Sequence, residues 1–532
     1  MGAKECIESG QAFFGMEFGS TRIKAILSDR EGSVLAVGTY GWENSLIDGI
    51  WTYSLEEIRA GLQGCYTSLR EDVEEKYGIT PVSYAGMGFS AMMHGYIPFD
   101  ADGNLLSRFQ TWRNTNTQEA ADELTELFNY NIPLRWTIAH IYQCILDGED
   151  HVKKYDYVTI LSAYIHWLLT GEKVVGVGDA SGIFPIDPDT GDYDEAMVQK
   201  FDTLIEGKGY NWKLRDILPK VMTAGEQAGL LTEEGAALLD VSGNLKAGIP
   251  LCPPEGDAGT GMTATNAVAP RTGNVSAGTS MFAMIVLEKA LSRVYREIDM
   301  VTTPDGYPVA MSHANNGTTD LSNWVGLFEE FAGLIGADLN KTQIYEVLYR
   351  HSLTGAPDCG GLLSYCFDAG ESIAGVNEGR PVYARMPDSD VNLANFMKTH
   401  IYSSLGVVKM GLDILKKENV KIDRIMGHGG FFKTKEVGQR ALAAAVGAPV
   451  TVMETAGEGG AWGIALLAAY MGEKQSGSKE TLSEYLENRI FSEMEGTTLS
   501  PTEEEITGFD GFMEHFRAGM DLEKAAVNSM KW

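Results

Sequence analysis

The sequence predicts an α/β protein built from two lobes of similar plan. Its 532 residues exceed the roughly 100–200 residues of an ordinary domain, so two or more domains are expected. Segments in which apolar residues alternate follow segments in which apolar residues recur at helical spacing. A glycine-turn hairpin near the start is repeated about half a chain later, which indicates a duplicated domain with a cleft between the copies.

The predicted elements begin with a hairpin over Ala12 to Ser28. Apolar residues alternate on both sides of Gly19-Ser20-Thr21, and a third strand is expected in EGSVLAVGTY. Leu55 to Lys76 carries apolar residues at helical spacing and is predicted as an amphipathic helix. Further predictions are a strand ending in a loop over 83–99 and helices over 117–128 and 157–169.

The second copy of the hairpin lies over 276–287, where Gly278-Thr279-Ser280 separates two apolar segments. Prolines and glycines punctuate residues 255–272, so the boundary between the lobes is expected there. The predicted domains are a first lobe over 12–262, a second lobe over 270–472 and a helical extension over 473–532. We expect that extension to lie on the surface and to carry no chemistry.

The composition excludes some classes of function. With 42 Lys and Arg against 73 Asp and Glu, the formal charge of −31 repels nucleic acids and anionic membranes. Six scattered cysteines contain no C-x-x-C pair, which suits a reducing compartment rather than a disulfide framework or zinc site. No run of about 18 apolar residues exists, and the start lacks the apolar core of a signal peptide. A cytoplasmic protein is therefore expected.

Standard nucleotide and hydrolase motifs are missing, including the P-loop and the complete G-x-G-x-x-G. A phosphoryl-transfer enzyme without them would have to hold phosphate with hairpin turns, whose backbone N–H groups form anion-binding concavities. The turns at 19–21 and 278–280 suit that task. Ordinary structural turns would give the same pattern.

Three acidic residues are placed for base or metal chemistry, namely Glu17, Asp29 and Asp257. Phosphoryl transfer needs a base on the attacking hydroxyl and a cation that neutralises the phosphates. Asp257 lies in EGDAGTG, where small neighbours let a substrate approach closely. A single Asp in such a loop is also typical of a turn or a helix N-cap.

In order along residues 12–472, these motifs resemble those of the FGGY family of carbohydrate kinases. The matching stretches are GMEFGSTRIKAILSD (15–29) and NVSAGTS (274–280) for the two phosphate motifs, FSAMMHGYIPFDADG (89–103) for the sugar-contacting Met-His-Gly segment of xylulokinases, LSAYIHWLLTGEKVVGVGDASG (161–182) for the D-A-S-G stretch, EGDAGTGM (255–262) for the catalytic Asp, and GHGGFFKTKEVGQRALAAAVGAPV (427–450) with GEGGAWGIALLAA (457–469) for the adenosine-side glycines and the closing helix. The resemblance implies the actin-like, hexokinase-like ATPase fold, which is ribonuclease H-like, with a central cleft.

The resemblance also implies residue roles. Asp257 would be the general base and would lie at the metal, with Glu17 holding Mg²⁺ through water. The remaining positions carried over are Met93, His94, Trp112 and Arg113 for the sugar, Gly19, Ser20, Thr21, Gly278, Thr279 and Ser280 for the ATP phosphates, and Gly429, Gly430 and Gln439 for the adenosine. ATP, Mg²⁺ and a small sugar are thus the implied ligands, and a homodimer is common among such kinases.

The chain departs from the family pattern at four places. Glu17 replaces the usual Asp, Ala258 replaces the Asn of xylulokinases, and Met92 replaces their Gln before Met-His-Gly. The segment at 112–116, WRNTN, replaces the usual aromatic-Asn/Gln-Asp-x-Arg pattern. The phosphate-binding motifs are therefore retained, while the sugar pocket is altered.

The implied activity is transfer of the γ-phosphoryl group of Mg-ATP to a terminal hydroxyl of a small ketose, with a pentulose such as xylulose as first expectation. Alternatives are a kinase for ribulose, a tetrulose, a hexulose or glycerol, and a non-catalytic sugar- or nucleotide-sensing protein on the same fold. The unusual Glu17 and 112–116 segment are compatible with a sensing protein. Asp257 is evidence against it, since a sensor has no need of a base. An actin-like filament protein is the poorest alternative, since it has no use for the Met-His-Gly and D-A-S-G stretches.

Overall fold

The computed structural model describes residues 2–453, 459–494 and 496–531. The chain divides into two units. The first unit comprises 1–269, 299–309 and 458–493, and the second comprises 270–298, 310–457 and 494–532. Of the motif at 457–469, Gly457 and Glu458 lie outside the described residues.

Among the described residues, the α-helices are α1 (Ala3–Glu8), α2 (Leu55–Tyr77), α3 (Gln118–Phe128), α4 (Thr137–Leu146), α5 (Leu161–Thr170), α6 (Val177–Ala180), α7 (Glu195–Leu204), α8 (Leu214–Ile217), α9 (Glu233–Leu239), α10 (Asp257–Ala264), α11 (Thr319–Leu334), α12 (Lys341–Ser352), α13 (Leu393–Lys417), α14 (Val437–Val446), α15 (Gly459–Gln475), α16 (Leu482–Tyr485), α17 (Glu503–Ala518) and α18 (Met520–Ser529).

The β-strands of the same residues are β1 (Phe13–Phe18), β2 (Arg22–Ser28), β3 (Val34–Gly41), β4 (Ser45–Ile47), β5 (Ile50–Thr52), β6 (Gly86–Ala91), β7 (Ile97–Phe99), β8 (Tyr157–Thr159), β9 (Val174–Gly176), β10 (Ile186–Asp187), β11 (Asp192–Tyr193), β12 (Lys220–Met222), β13 (Glu255–Gly256), β14 (Thr272–Ala277), β15 (Met281–Val286), β16 (Asp299–Thr302), β17 (Pro308–Ala314), β18 (Leu362–Tyr365), β19 (Val382–Arg385), β20 (Arg424–His428), β21 (Val450–Met453) and β22 (Gly496–Leu499).

The main sheet of the first unit has the strand order β13-β6-β1-β2-β3. Strands β1 and β2 are antiparallel, and the Gly19 N–H donates to the Arg22 carbonyl at 3.1 Å to close the turn between them. Strand β1 is parallel to β6, which is parallel to β13. The hairpin and third strand predicted from the alternation of apolar residues are confirmed.

The second unit repeats this topology. Its sheet contains the order β17-β15-β14-β20-β21, with β22 added at the end. Strands β14 and β15 form the antiparallel hairpin, while β14 is parallel to β20 and β20 is parallel to β21. The two sheets thus share one plan, which confirms the duplication predicted from the repeated glycine hairpins.

Helix α15 covers one face of the first sheet, although it follows β1 by more than 440 residues. A Cβ added at Gly15 of β1 would lie 2.3 Å from the Ala461 carbonyl oxygen, and one at Gly88 of β6 would lie 2.9 Å from the Ile464 carbonyl oxygen. Backbone therefore packs on backbone at these positions, which only glycine permits. Residues remote in sequence complete the core of the first unit.

The helix expected over 157–169 is wrong at its start. Tyr157–Thr159 is strand β8, which pairs antiparallel with β7, and helix α5 begins only at Leu161. A short run of aromatic and β-branched residues fits a strand as well as a buried helix, so periodicity did not separate the two. The predicted end is confirmed, because Gly171 has a positive φ of 78° that terminates the helix.

The C-terminal extension is helical as predicted, but it is not a simple surface appendage. Phe509, Phe512 and Phe516 of α17 are buried, and the Tyr365 hydroxyl donates to the Phe516 carbonyl oxygen at 2.6 Å. This helix is therefore an integral part of the second unit. Across the part of the chain that is described, none of the helices combines the length and the apolar character needed to cross a bilayer.

Candidate active site

The carboxyl ends of three parallel strands place acidic residues along one edge of the first sheet. Glu17 of β1, Ser90 of β6 and Glu255 of β13 lie side by side in register. The Ser90 hydroxyl lies 3.1 Å from that of Thr260 in α10, which ties the strand to the next helix. In α/β sheets, ligands bind beyond the carboxyl ends of parallel strands, so this edge is the candidate site.

Asp257 is the first residue of α10, directly after β13. Its Oδ1 accepts a hydrogen bond from the Met93 N–H at 3.1 Å. Solvent reaches the carboxylate, but protein atoms surround it closely, and this desolvation raises its pKa above the ordinary value against the opposing effect of the Met93 bond. An accessible carboxylate of raised pKa is suited to accept a proton.

Glu17 lies at the same edge, where the N–H groups of Gly460 and Ala461 donate to its carboxylate. Burial raises the pKa of Glu17 to about 7, and the negative charge of Asp257 contributes in the same direction. A Cβ at Gly460 would lie 2.2 Å from Glu17 Oε1, so a glycine there leaves room for the carboxylate. Mg²⁺ prefers oxygen ligands such as carboxylates, and a cation would offset the repulsion between Glu17 and Asp257. These two residues therefore fit the expected Mg²⁺.

Two buried carboxyls, those of Glu255 and Asp179, lie behind this edge, and neither is among the site residues expected from the sequence. Glu255 accepts the N–H groups of Gly178 and Asp179 at 3.2 and 2.9 Å, and burial raises its pKa to about 8. Burial also raises the pKa of Asp179 well above its usual value, while the Ser162 hydroxyl donates to that carboxyl. Both residues lie in motifs that the sequence shows, Asp179 in D-A-S-G and Glu255 in E-G-D.

His94 follows Met93 in a left-handed conformation with a φ of 67°. Its Nδ1 lies 3.5 Å from the Gly182 carbonyl oxygen, and burial lowers its pKa well below the usual value. The imidazole is therefore neutral near pH 7 and offers one donor and one acceptor. The nearby Arg135 guanidinium, which is paired with Asp299, also disfavours the protonated form.

Trp112 and Arg113 lie in an exposed turn between β7 and α3. The Arg113 guanidinium stacks 3.6 Å above the Trp51 ring, and its Nη1 donates to Asn44 Oδ1 at 3.0 Å. Trp112 is 37% exposed. Among the described residues, neither side chain hydrogen-bonds to Met93, His94 or Asp257, so the structure does not join these predicted sugar contacts to the others.

The glycine turn at 19–21, one of the two turns expected from the sequence to bind phosphate, is fixed by hydrogen bonds to its carbonyl oxygens. The Trp42 indole N–H donates to the Gly19 carbonyl at 2.7 Å, and the Tyr53 hydroxyl donates to the Ser20 carbonyl at 2.6 Å. The two rings stack with centroids 3.9 Å apart. Within residues 2–453, the N–H groups of Ser20 and Thr21 donate to no carbonyl, so they remain available for an anion.

The glycine turn at 278–280 is fixed in the same way within the second unit. The Gly278 carbonyl accepts both the N–H and the hydroxyl of Thr318 at 3.0 Å, and the Thr279 carbonyl accepts the Gly317 N–H at 2.7 Å. The Gly278 N–H donates to the Ser280 carbonyl at 3.0 Å, which closes the turn. Both turns are thus rigid hairpins whose carbonyl oxygens already have donors.

The residues expected near the adenosine separate into two groups. Gly429 has a φ of 106°, and a Cβ there would lie 2.3 Å from the Ala277 carbonyl oxygen, whereas Gly430 beside it is exposed with open space around it. Gln439 is buried, and its Nε2 donates to the Val450 and Thr497 carbonyls at 2.7 and 2.5 Å. This side chain ties two strands together, so we assign it no nucleotide contact.

Asp29 has a structural use. Its Oδ1 accepts the N–H groups of Glu31 and Ser33 at 3.1 and 2.8 Å, which closes the turn between β2 and β3. Of the three acidic candidates in the sequence, Glu17 and Asp257 therefore share one edge and Asp29 is a turn residue.

Two family models match the chain. The N-terminal domain of the FGGY family of carbohydrate kinases matches residues 12–262, and the C-terminal domain of that family matches residues 273–472. The two matches cover most of the 532 residues in the order that the family has. The chain therefore belongs to the FGGY family of carbohydrate kinases.

Individual relatives are distant. An autoinducer-2 kinase from Escherichia coli (strain SMS-3-5 / SECEC) is 24% identical over 293 residues, or 51% of this chain and 50% of that relative. The chain thus spans about half the length of the curated relatives it matches. Crystal structures of a xylulose kinase and a gluconate kinase, both from Lactobacillus acidophilus, align with TM-scores of 0.75 and identities of 16% and 17%. These alignments cover 97% of this chain and 99% and 98% of those chains, which confirms the predicted actin-like, hexokinase-like fold class.

Proposed function

We propose that this protein is an ATP-dependent sugar kinase that transfers the γ-phosphoryl group of Mg-ATP to a terminal hydroxyl of a small ketose. The observation that carries the proposal is Asp257, an accessible carboxylate of raised pKa at the start of α10. We assign residues 12–262 to sugar binding, 270–472 to nucleotide binding and 473–532 to a helical extension. A cytoplasmic location goes with this proposal, because all six cysteines are free and buried.

In this mechanism Asp257 accepts the proton of the attacking hydroxyl. Its bond to the Met93 N–H fixes the carboxylate, and neutral His94 beside it orients the sugar through hydrogen bonds. The N–H groups of Ser20 and Thr21 bind phosphate oxygens, as do those of Thr279 and Ser280 in the second turn. Bound Mg²⁺, held by Asp257 and through water by Glu17, would neutralise charge on the transferred group.

A pentulose such as xylulose is the first candidate substrate. The Met-His-Gly and D-A-S-G stretches support it, since the structure brings both segments to Asp257 through Met93, His94 and Gly182. The residues that differ from the xylulokinase pattern are compatible with other substrates as well. Met92 is buried with its sulfur 4.0 Å from the Ser20 hydroxyl, and Asn114 is used to accept the Trp51 N–H. Ribulose, a tetrulose, a hexulose, glycerol and autoinducer-2 therefore belong in the test panel.

The test is release of ADP from Mg-ATP across this panel, with Asp257→Asn beside the wild type. We expect turnover on one ketose, and a fall in kcat of about 10²–10⁴-fold in the variant, whose affinity for ATP without Mg²⁺ should be retained. Asp29→Asn is the matched control, because the amide oxygen still closes its turn and activity should persist. Turnover that survives in Asp257→Asn would contradict the base assignment. ATP binding without stimulation by any sugar would favour the sensing protein.

A further inference from the structure

Three side chains of types that bind metal ions meet at the C-terminal end of α4. They are Cys144, Glu149 and His151, and their sulfur, oxygen and nitrogen atoms all lie within 4.8 Å of one another. The ligand atoms of a tetrahedral zinc ion lie about 3.2–3.8 Å apart, as bond lengths of about 2.0–2.3 Å require. Small side-chain rotations therefore suffice to place the three atoms around one cation.

The backbone at the end of α4 brings Cys144 and Glu149 together. Gly148 has a φ of 69°, and its N–H donates to the Ile145 carbonyl oxygen at 3.2 Å. The Glu149 N–H donates to the Cys144 carbonyl oxygen at 3.0 Å. These two bonds form a Schellman motif, which ends the helix and folds the following residues back beside its last turn. His151 follows in the next turn of the chain.

Two buried tyrosines contact the imidazole and the thiol of this cluster. The Tyr96 hydroxyl lies 2.6 Å from His151 Nε2. It also hydrogen-bonds to the Cys144 thiol, as does the Tyr155 hydroxyl. On the other side of the ring, His151 Nδ1 lies 3.0 Å from a carboxylate oxygen of Glu149. When one ring nitrogen binds a cation, the other therefore retains a hydrogen-bonding partner, as histidine ligands of metals usually do.

The charges of the three ligands suit a divalent cation. Burial raises the pKa of the Cys144 thiol to about 12, so the free sulfur is protonated, and binding of a cation sends that proton to solvent. The resulting thiolate and the Glu149 carboxylate carry two negative charges, and the imidazole binds as a neutral ligand. A divalent cation therefore leaves the site without net charge.

The ligand types and their exposure favour Zn²⁺. Thiolate and imidazole are ligands that Zn²⁺ accepts, whereas Mg²⁺ prefers oxygen ligands. Cys144 is 5% exposed and the Glu149 side chain is 47% exposed, so a cation can enter at the carboxylate, where a water molecule can complete the tetrahedron. Because only one ligand is a cysteine, the absence of a C-x-x-C pair from the sequence does not bear on this site.

We propose that Cys144, Glu149 and His151 form a Zn²⁺ site that joins the end of α4 to the chain that follows it. The site lies within the first unit. None of its three ligands is a residue to which a contact with sugar, nucleotide or Mg²⁺ is assigned, so the inference is independent of the kinase proposal.

Titration calorimetry with Zn²⁺ tests the proposal on the full-length protein, freed of metal by a chelator and kept reduced. We expect one Zn²⁺ per chain with a dissociation constant of about 1 µM or lower, unchanged by about a thousandfold excess of Mg²⁺. Glu149→Gln should raise this constant at least about 10-fold, and Cys144→Ala at least about 100-fold. Cys6→Ala is the matched control, because Cys6 is also 5% exposed in the first unit and its variant should bind Zn²⁺ like the wild type.

Absorption spectroscopy with Co²⁺ gives a second readout that is specific for the sulfur ligand. A thiolate bound to Co²⁺ produces a charge-transfer band in the near ultraviolet, which carboxylates on an acidic surface do not give. We expect the band in the wild type and in Cys6→Ala, and its loss in Cys144→Ala, with circular dichroism to verify that this variant is folded. Absence of the band in the wild type, a band that survives Cys144→Ala, or a Zn²⁺ affinity unchanged in Glu149→Gln would each overturn the proposal.

Discussion

At the scale of single residues, the carboxyl group of Asp305 makes the stability of the fold depend on pH. Its Oδ1 accepts the Thr303 hydroxyl at 2.6 Å, and burial raises its pKa to about 6. Between the ordinary value of about 3.9 and pH 6, the folded protein therefore retains a proton that the unfolded chain releases. Stability contributed by this group falls as the pH rises through that window, and the loss is complete above pH 6.

Asp305→Asn should remove this pH dependence, because the amide oxygen still accepts the Thr303 hydroxyl while the charge is absent. We expect the melting temperature of the variant, relative to wild type, to increase between pH 4 and 6 and then level off. The slope corresponds to at most about 1.4 kcal/mol per pH unit. Differential scanning fluorimetry measures it, with Asp102→Asn on an exposed turn as the control for loss of one negative charge. A constant difference from pH 4 to 7 would contradict the expectation.

Sequence reasoning identified the accessible carboxylates and missed the buried ones. The E-G-D motif contains both Glu255 and Asp257, but which of them faces solvent depends on the strand register and on where α10 begins. Asp179 belongs to the D-A-S-G motif, but its burial depends on the packing of α6 against β13. Likewise, the position of Gln439 was predicted, whereas the direction of its side chain toward β21 and β22 was not.

At the scale of elements, the crossing of α10 and α15 positions the proposed base. A Cβ at Gly463 of α15 would lie 2.0 Å from the Thr260 carbonyl oxygen in α10, so it would meet helix backbone rather than a flexible side chain. Gly463→Ala should therefore destabilise the protein by about 1–3 kcal/mol through overpacking, and should lower kcat by displacing Asp257. Denaturant unfolding and steady-state kinetics check the two effects.

Gly261 provides the matched comparison, because it lies in α10 itself with open space around its Cα. Gly261→Ala should leave stability unchanged or raise it by up to about 1 kcal/mol, as the helix propensity of alanine predicts. If the two substitutions changed the free energy of unfolding equally, the helices would accommodate a methyl group at Gly463, and the overpacking argument would be contradicted.

Long periodic elements were predictable, and short ones were not. Helix α2 and both glycine hairpins carry their pattern over many residues, so their type follows from the sequence. Strand β13 has two residues and β8 has three, which is too short for a period to be measured. Their strand conformation depends on pairing with β6 and β7, and that information lies elsewhere in the chain.

At the scale of the whole molecule, the charge of −31 opposes the approach of a polyanion. Without Mg²⁺, the affinity for free ATP should therefore rise with ionic strength, by roughly threefold between about 20 and 300 mM KCl, because salt screens the repulsion. Mg-ATP carries less charge and should show a smaller change. Calorimetric titration of both forms measures the two slopes, and an affinity for free ATP that falls with salt would contradict the expectation.

Helix α15 has a consequence for how the protein is made. A ribosome that has released the first 450 residues has delivered every strand of the first sheet, but not the helix that covers Gly15 and Gly88. The N-terminal half of the nascent chain must therefore keep an apolar sheet face uncovered while most of the second unit, up to residue 457, is synthesised at about 5–20 residues per second. Ribosome-bound chaperones that shield apolar surface would be needed longest by the half of the protein that is translated first.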